Sequence, residues 1–237
     1  MKMLRRTSAF TGYTIEASDG AVGSISDILF EDQTWKLRWF VINTGAWLIG
    51  RKVLIHPSAL QRPDIRQRAF PISLTKAQVE ASPDLSSDQP VSRQVDQDLS
   101  DYYGLGSFWD DGYSGGLGLG VLGDGMSQAT ATRSPKTLEA DDHQLLSIAA
   151  ITGFQIHALD GDIGHLDDFL VEDESWTIES AVVATKNWGL GRRVLISPTD
   201  IQATNFQAQY VPINLTRYKI KCSPSWREPD WMDRRVG

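Results

Sequence analysis

The chain has one cysteine, Cys222, in 237 residues. An internal disulfide is excluded, so the fold is expected not to depend on an oxidising compartment. A lone thiol with no shared histidine or acid beside it does not read as a nucleophile. No stretch approaches the roughly 18 consecutive apolar residues of a membrane span. The basic opening, Met1 to Phe10, has no apolar run of signal-peptide length. The sequence therefore predicts a soluble, cytoplasmic protein. There is no Gly-x-x-x-x-Gly-Lys phosphate loop. Positive charge is also short: 23 Lys and Arg stand against 30 Asp and Glu, a net charge of −7. A basic face that grips phosphate backbones is not expected, which argues against a nucleic-acid partner.

What charge there is lies unevenly. Lys and Arg minus Asp and Glu give +3 for residues 1–10, +1 for 11–83, −8 for 84–151, −3 for 152–224 and 0 for the rest.

What the sequence does have is a repeat. Ala46-Trp-Leu-Ile-Gly-Arg-Lys-Val-Leu-Ile-His-Pro57 returns as Asn187-Trp-Gly-Leu-Gly-Arg-Arg-Val-Leu-Ile-Ser-Pro198. Extended outward, residues 11–83 align without gaps on 152–224, at a constant offset of 141, with 28 of 73 positions identical. A duplicated unit of this size is near the lower limit for a core of its own, and closing its sheet would help.

The first copy reads as β-structure. Thr11 to Ala17 is a short strand, and Asp19-Gly20 a tight turn repeated at Asp160-Gly161. Ala21 to Phe30 alternates at strand period. The shared Gly23 and Gly164 suggest a bulge or a close backbone approach. Lys36 to Thr44 is apolar on both faces, with Leu37, Trp39 and Val41 on one and Phe40 and Ile42 on the other, as in a buried central strand. Arg51 to Ile55 is a strand stopped by Pro57, and a hairpin closes through Ala69 to Ile72. Leu74 to Ala81 reads as a helix capped by Thr75. About six short strands and one helical turn predict a small barrel. The fold class expected is mainly β: two small barrels in tandem, each ending in a short helix, joined by a Gly-rich linker. The expected domains are 1–83, an acidic Gly-rich linker 84–150, 151–224, and a tail 225–237.

Asp-Gly-x-x-Gly-x-x-x-Asp occurs at Asp19, Gly20, Gly23 and Asp27, and again at Asp160, Gly161, Gly164 and Asp168. An acidic turn, a Val-rich strand and Val-Leu-Ile-x-Pro follow in both copies. This order resembles the PRC-barrel. That β-barrel forms the cytoplasmic part of the H polypeptide of photosynthetic reaction centres and the C-terminal domain of the ribosome maturation factor. The Trp-x-x-Gly-Arg-[Lys/Arg]-Val-Leu-Ile block resembles the bacterial tandem PRC-barrel proteins. So does Ser82 to Gln94 followed by Tyr102-Tyr-Gly104. The resemblance implies a docking fold without an activity of its own, since function is carried by sites and not by folds.

Between the copies, Gly104 to Gly125 holds nine glycines in 22 residues, with Phe108, Trp109 and Tyr113 among them. Glycine at that density describes a flexible spacer, or an aromatic-tipped contact segment. The paired tryptophans Trp35 and Trp176, and Trp47 and Trp188, fit core or loop anchoring better than ligand stacking. No metal or other cofactor is expected: the acids from Asp160 to Glu174 lack a calcium-loop framework. None of the histidines, His56, His143, His157 and His165, recurs between the copies. Arg38 and Trp39 align with Glu179 and Ser180, a complementarity that suggests a contact between the copies. The expected function is a non-enzymatic interaction module that docks to a protein partner at a membrane-associated complex. Trp47, Trp188, Trp109, Arg51 and Arg192 are its candidate contact residues. The alternatives are an accessory role in electron or proton transfer at a photosynthetic or respiratory complex and, more weakly, ribosome maturation.

Overall fold

The computed structural model describes residues 3–48, 51–82, 98–99, 102–103, 145–185 and 192–227. The first half contains β1 (Leu4–Arg6), β2 (Thr14–Ala17), β3 (Gly20–Glu31), β4 (Leu37–Asn43), β5 (Lys52–Ile55), β6 (Ala69–Pro71) and helix α1 (Lys76–Glu80). The second contains β7 (Leu145–Ser147), α2 (Ile148–Ile151), β8 (Gln155–Ala158), β9 (Gly161–Glu172), β10 (Ile178–Thr185), β11 (Arg193–Ile196), β12 (Tyr210–Pro212) and α3 (Arg217–Cys222). Short 3-10 turns lie at Thr7–Ala9, Pro57–Ala59 and Pro198–Asp200.

These strands form two six-stranded sheets of matching order, β5-β4-β3-β2-β6 and β11-β10-β9-β8-β12. The pairs β2/β6 and β8/β12 are parallel and the rest antiparallel. Both ladders are open: among the described residues no pairing joins β5 to β6 or β11 to β12, so they do not draw the expected closed barrels.

The long central strands set the geometry. A side chain at Gly23 would place its Cβ 2.2 Å from the Asn43 carbonyl oxygen, and one at Gly164 would come within 2.0 Å of that of Ala184. Only glycine lets β4 and β10 come this close, as the repeated glycines suggest. Thr75 caps α1 by accepting from the Gln78 amide at 3.2 Å, while the Gln78 side chain accepts from the Thr75 amide in return.

The sixth strand of each sheet comes from the other half. β1 lies on β9, with Leu4 opposite Glu172 and Arg6 opposite Leu170. β7 lies on β3, with Leu145 opposite Glu31 and Ser147 opposite Leu29. The two acidic turns meet as well: the Leu37 amide donates to the Trp176 carbonyl, and the Ile178 amide to that of Trp35, each at 2.8 Å. One hydrophobic core runs through both halves. Residues 145–150, assigned to the linker on sequence, are β7 and most of α2.

β4 is buried on both faces, as its composition suggests. Phe40 and Ile42 face the common core, and Trp39 and Val41 face outward into a second cluster with Leu29 and Leu54. Leu37 also joins the common core, because the β3–β4 register shifts between Leu29 and Phe30. Beyond α3 the chain pairs with β11: the Leu195 amide donates to the Pro224 carbonyl and the Trp226 amide to that of Arg193, both at 2.9 Å. The Gly-rich stretch 104–125 lies outside the described residues.

Candidate interaction surface

Asp27 and Asp168 hold matching positions in mid-strand, and each receives the arm of the other half. Asp168 is buried and accepts from Arg6 Nε (2.7 Å), Thr7 Oγ1 (2.6 Å), the Ser8 amide (3.2 Å) and the Ser8 hydroxyl. Asp27 accepts from Ser147 Oγ (2.5 Å) and the Ala149 amide (3.0 Å). A carboxylate facing the first amides of a helical turn satisfies donors that have no partner within the turn. The basic arm finds its counter-charges in the second half. Arg5 pairs with Asp173 at 3.0 Å, and Arg6 also reaches Asp167 at 3.4 Å, which Arg193 contacts at 2.8 Å. These motif acids are therefore committed to joining the halves.

The sequence-selected residues do not gather at one place. Trp47 is half-buried against the common core with the Lys76 ammonium 5.5 Å from its ring centroid. The Arg51 guanidinium donates to the Glu80 carbonyl at 2.7 Å and to that of Ser82, tying the end of α1 to β5. Arg192 is exposed, and its carbonyl accepts from Thr185 Oγ1 at 2.8 Å. Trp109 and Trp188 lie outside the described residues. Trp39, expected to face Ser180 of the other copy, lies instead in the outer cluster of its own half with Leu29, Val41 and Leu54. Strand exchange supplies the contact that those positions were expected to make.

His157 contacts Asp162 at 3.0 Å and stacks on Tyr210 at 4.2 Å. Among the described residues, no group of three or more His, Cys, Asp or Glu could hold a metal ion. His56 accepts from the Ser58 amide at 3.2 Å and lies edge-on to Trp39. Burial, and then the charge of Arg38, hold its imidazole down to about 4.

One surface feature escaped the sequence reading. The loop leading into β6 carries Arg62, Arg66 and Arg68 around Ile65, which is 54% exposed. Asp64 braces it: its Oδ1 accepts from the Arg66 and Gln67 amides, and its backbone makes two bonds with Ala69. Arg68 lies 5.2 Å from the Tyr13 ring centroid, whereas Arg62 and Arg66 make no ion pair among the described residues. The matching position in the second half is Phe206, also exposed, but there Ala203, Gln207 and Gln209 replace the arginines. An exposed apolar residue at the same turn in both copies, with a run of Arg in one, was the available signal.

Compared with known proteins, the chain matches no family model and no curated sequence.

Proposed function

We propose that the chain is a non-enzymatic docking module: two intertwined PRC-barrel-like halves share one core and present a loop to an acidic protein partner at a membrane-associated complex. The duplicated motif order and the twice-repeated strand order support the PRC-barrel-like reading. The observation that carries the docking reading is the Arg62–Arg68 loop, an internally braced tip on which Arg62 and Arg66, both exposed, flank an exposed Ile65 in the chain. Arginine and a large apolar side chain on one exposed tip are what interface anchors are made of. Complementary charge there sets encounter rate and specificity more than raw affinity.

The test is co-sedimentation of the full chain with native membranes, before and after mild detergent extraction, beside an Arg62→Gln/Arg66→Gln variant. The expected result is binding that salt weakens, that detergent releases together with a protein complex, and that the variant reduces at least fivefold. Equal binding by the variant, or none by the wild type, overturns the reading. Binding to protein-free vesicles alone reassigns the tip to lipid.

A further inference from the structure

The first sheet has a second apolar face, separate from the common core. Leu29, Trp39, Val41 and Leu54 form it, and Trp39 and Leu54 are wholly buried. The element over them comes from the segment between the two repeats. Leu99 is fully buried in this cluster, and Tyr103 packs on it with its ring centroid 5.8 Å from that of Trp39. The Tyr103 amide bonds to the Leu99 carbonyl at 2.9 Å, so the two side chains stand one helical turn apart on the same side. The Tyr103 hydroxyl donates to the Leu54 carbonyl at 2.7 Å, and that of Tyr102 to the Gln78 carbonyl. Burial pushes the Tyr103 phenol well above its ordinary range.

Bared, this face would be a contiguous apolar patch around an indole, of the kind that marks an interaction site. Among the described residues its occupant is the single turn closed by the Leu99–Tyr103 hydrogen bond, held by those two side chains and by the hydroxyls of Tyr102 and Tyr103, with Leu145 of β7 also packed on the face. No strand among the described residues pairs with that turn. It is tethered by 15 residues from Ser82 and by 41 from Tyr103 to Leu145. The contact is therefore intramolecular, and a competitor in trans must exceed its effective concentration. The face is also particular to the first half, because Ser180 stands where Trp39 would be in the second. Arg38 lies close enough to depress His56 at its rim, and the occupant's own sequence is acidic, Asp96-Gln-Asp-Leu-Ser-Asp101.

We propose that the Leu29–Trp39–Val41–Leu54 face is a helix-docking groove, that the Leu99/Tyr103 turn is its occupant in cis, and that the ligand in trans is an acidic amphipathic helix with Leu and Tyr four residues apart. Helix-in-groove recognition reads such spaced anchors. A partner helix longer than one turn gains contacts that the occupant lacks, and the tether sets the threshold it must exceed. The proposal deepens the docking reading above and rests on it for biological context, but the groove is measurable by itself.

The probe is a fluorescent peptide with the sequence of residues 92–106. Its binding is measured by anisotropy against the full wild-type chain, a Leu99→Ala/Tyr103→Ala chain, and that double variant carrying Trp39→Ser. The double variant is expected to bind at least tenfold tighter than the wild type. The Trp39→Ser chain, and a peptide with both anchors changed to Ala, are expected not to bind. Equal binding by wild type and double variant, no binding by a folded double variant, or binding that survives Trp39→Ser overturns the proposal. If the double variant is unfolded, amide exchange of the wild type at 1 mM peptide decides: faster exchange at Tyr103 supports the groove, and unchanged exchange refutes it. Peptide binding without membrane retention overturns the docking reading and leaves the groove standing.

Discussion

Trp176 stands edge-on to Phe40 across the boundary between the halves, with ring centroids 5.2 Å apart and planes at 82°. It also packs against Phe10 and Phe70, so the second half's turn supplies an aromatic to the first half's core. Trp35 answers it, 5.3 Å from Phe30 and 6.1 Å from Phe169. Truncating a packed core tryptophan costs about 3–5 kcal/mol. Trp176 is partly buried but packs on Phe10, Phe40 and Phe70, so Trp176→Ala is expected near the lower end of that range. Trp47→Ala, a half-buried loop anchor, is expected at less than half of it. Because the core is shared, Trp176→Ala should lower a single unfolding transition seen by every probe. Two separated transitions in denaturant would show that the halves unfold independently.

The strand exchange was not legible in the sequence, although much else was. The period, the central strands, the glycine crossings and the capped helix follow from turn chemistry and alternation, which are local and occur twice. The arms are short and carry little shared signal: between 4–10 and 145–151 only Leu4 with Leu145 and Ala9 with Ala150 agree. A three-residue strand cannot declare its partner, since any free edge satisfies its amides. The exposed Arg62–Arg68 tip was missed for a related reason. Its exposure depends on where Asp64 turns the chain, and composition does not report that.

Asp168→Ala should destabilise the molecule more than Asp27→Ala. Asp168 accepts from four donors of the arm, and its loss leaves Arg6 without its nearest carboxylate, whereas Asp27 meets the hydroxyl and amide of an uncharged arm. Breaking a buried ion pair on one side costs about 3–5 kcal/mol. The Asp27 change should resemble the loss of a cap, about 1 kcal/mol. Urea midpoints at constant slope provide the comparison, and equal losses would refute the account of the arms.

Gly23→Ala and Gly164→Ala should be similarly severe, since a Cβ at either site meets backbone that cannot swing aside. Expression of soluble protein and thermal melts test this. A mild effect at only one would mean that β4 or β10 can move outward without loss of the core.

Stability should fall as pH is lowered below about 6.5. His56 is neutral in the folded state down to about 4, so between those values the unfolded chain binds a proton that the folded chain does not. The full contribution is present above the ordinary histidine value. It declines by at most about 1.4 kcal/mol per pH unit, and less in proportion to the solvent that still reaches the ring. His56→Ser copies Ser197, whose hydroxyl caps the same 3-10 turn in the second half. That variant should keep the turn and flatten the pH slope between 6.5 and 4. An unchanged slope would assign the acid sensitivity elsewhere.

Expressed as two separate chains, residues 1–103 and 143–237 should associate into one folded heterodimer. Alone, each lacks the strand that completes its sheet: β7 for the first half and β1 for the second. Each could try to fill the gap with a second copy of itself. For residues 143–237 that substitution places Leu146 and Ser147 where Arg5 and Arg6 belong, and leaves Asp167, Asp168 and Asp173 without the arm's cations. Charge therefore favours the heterodimer over that homodimer, and the preference should weaken as salt screens the exposed part of the network. Mixing the two chains at low and high ionic strength, with light scattering and amide exchange at β3 and β9, reads both effects. Two independently folded monomers that ignore each other would mean that the exchanged strands are ornaments on self-sufficient halves. A one-to-one complex that protects Phe30 and Leu170 would mean that neither half is a domain without the other.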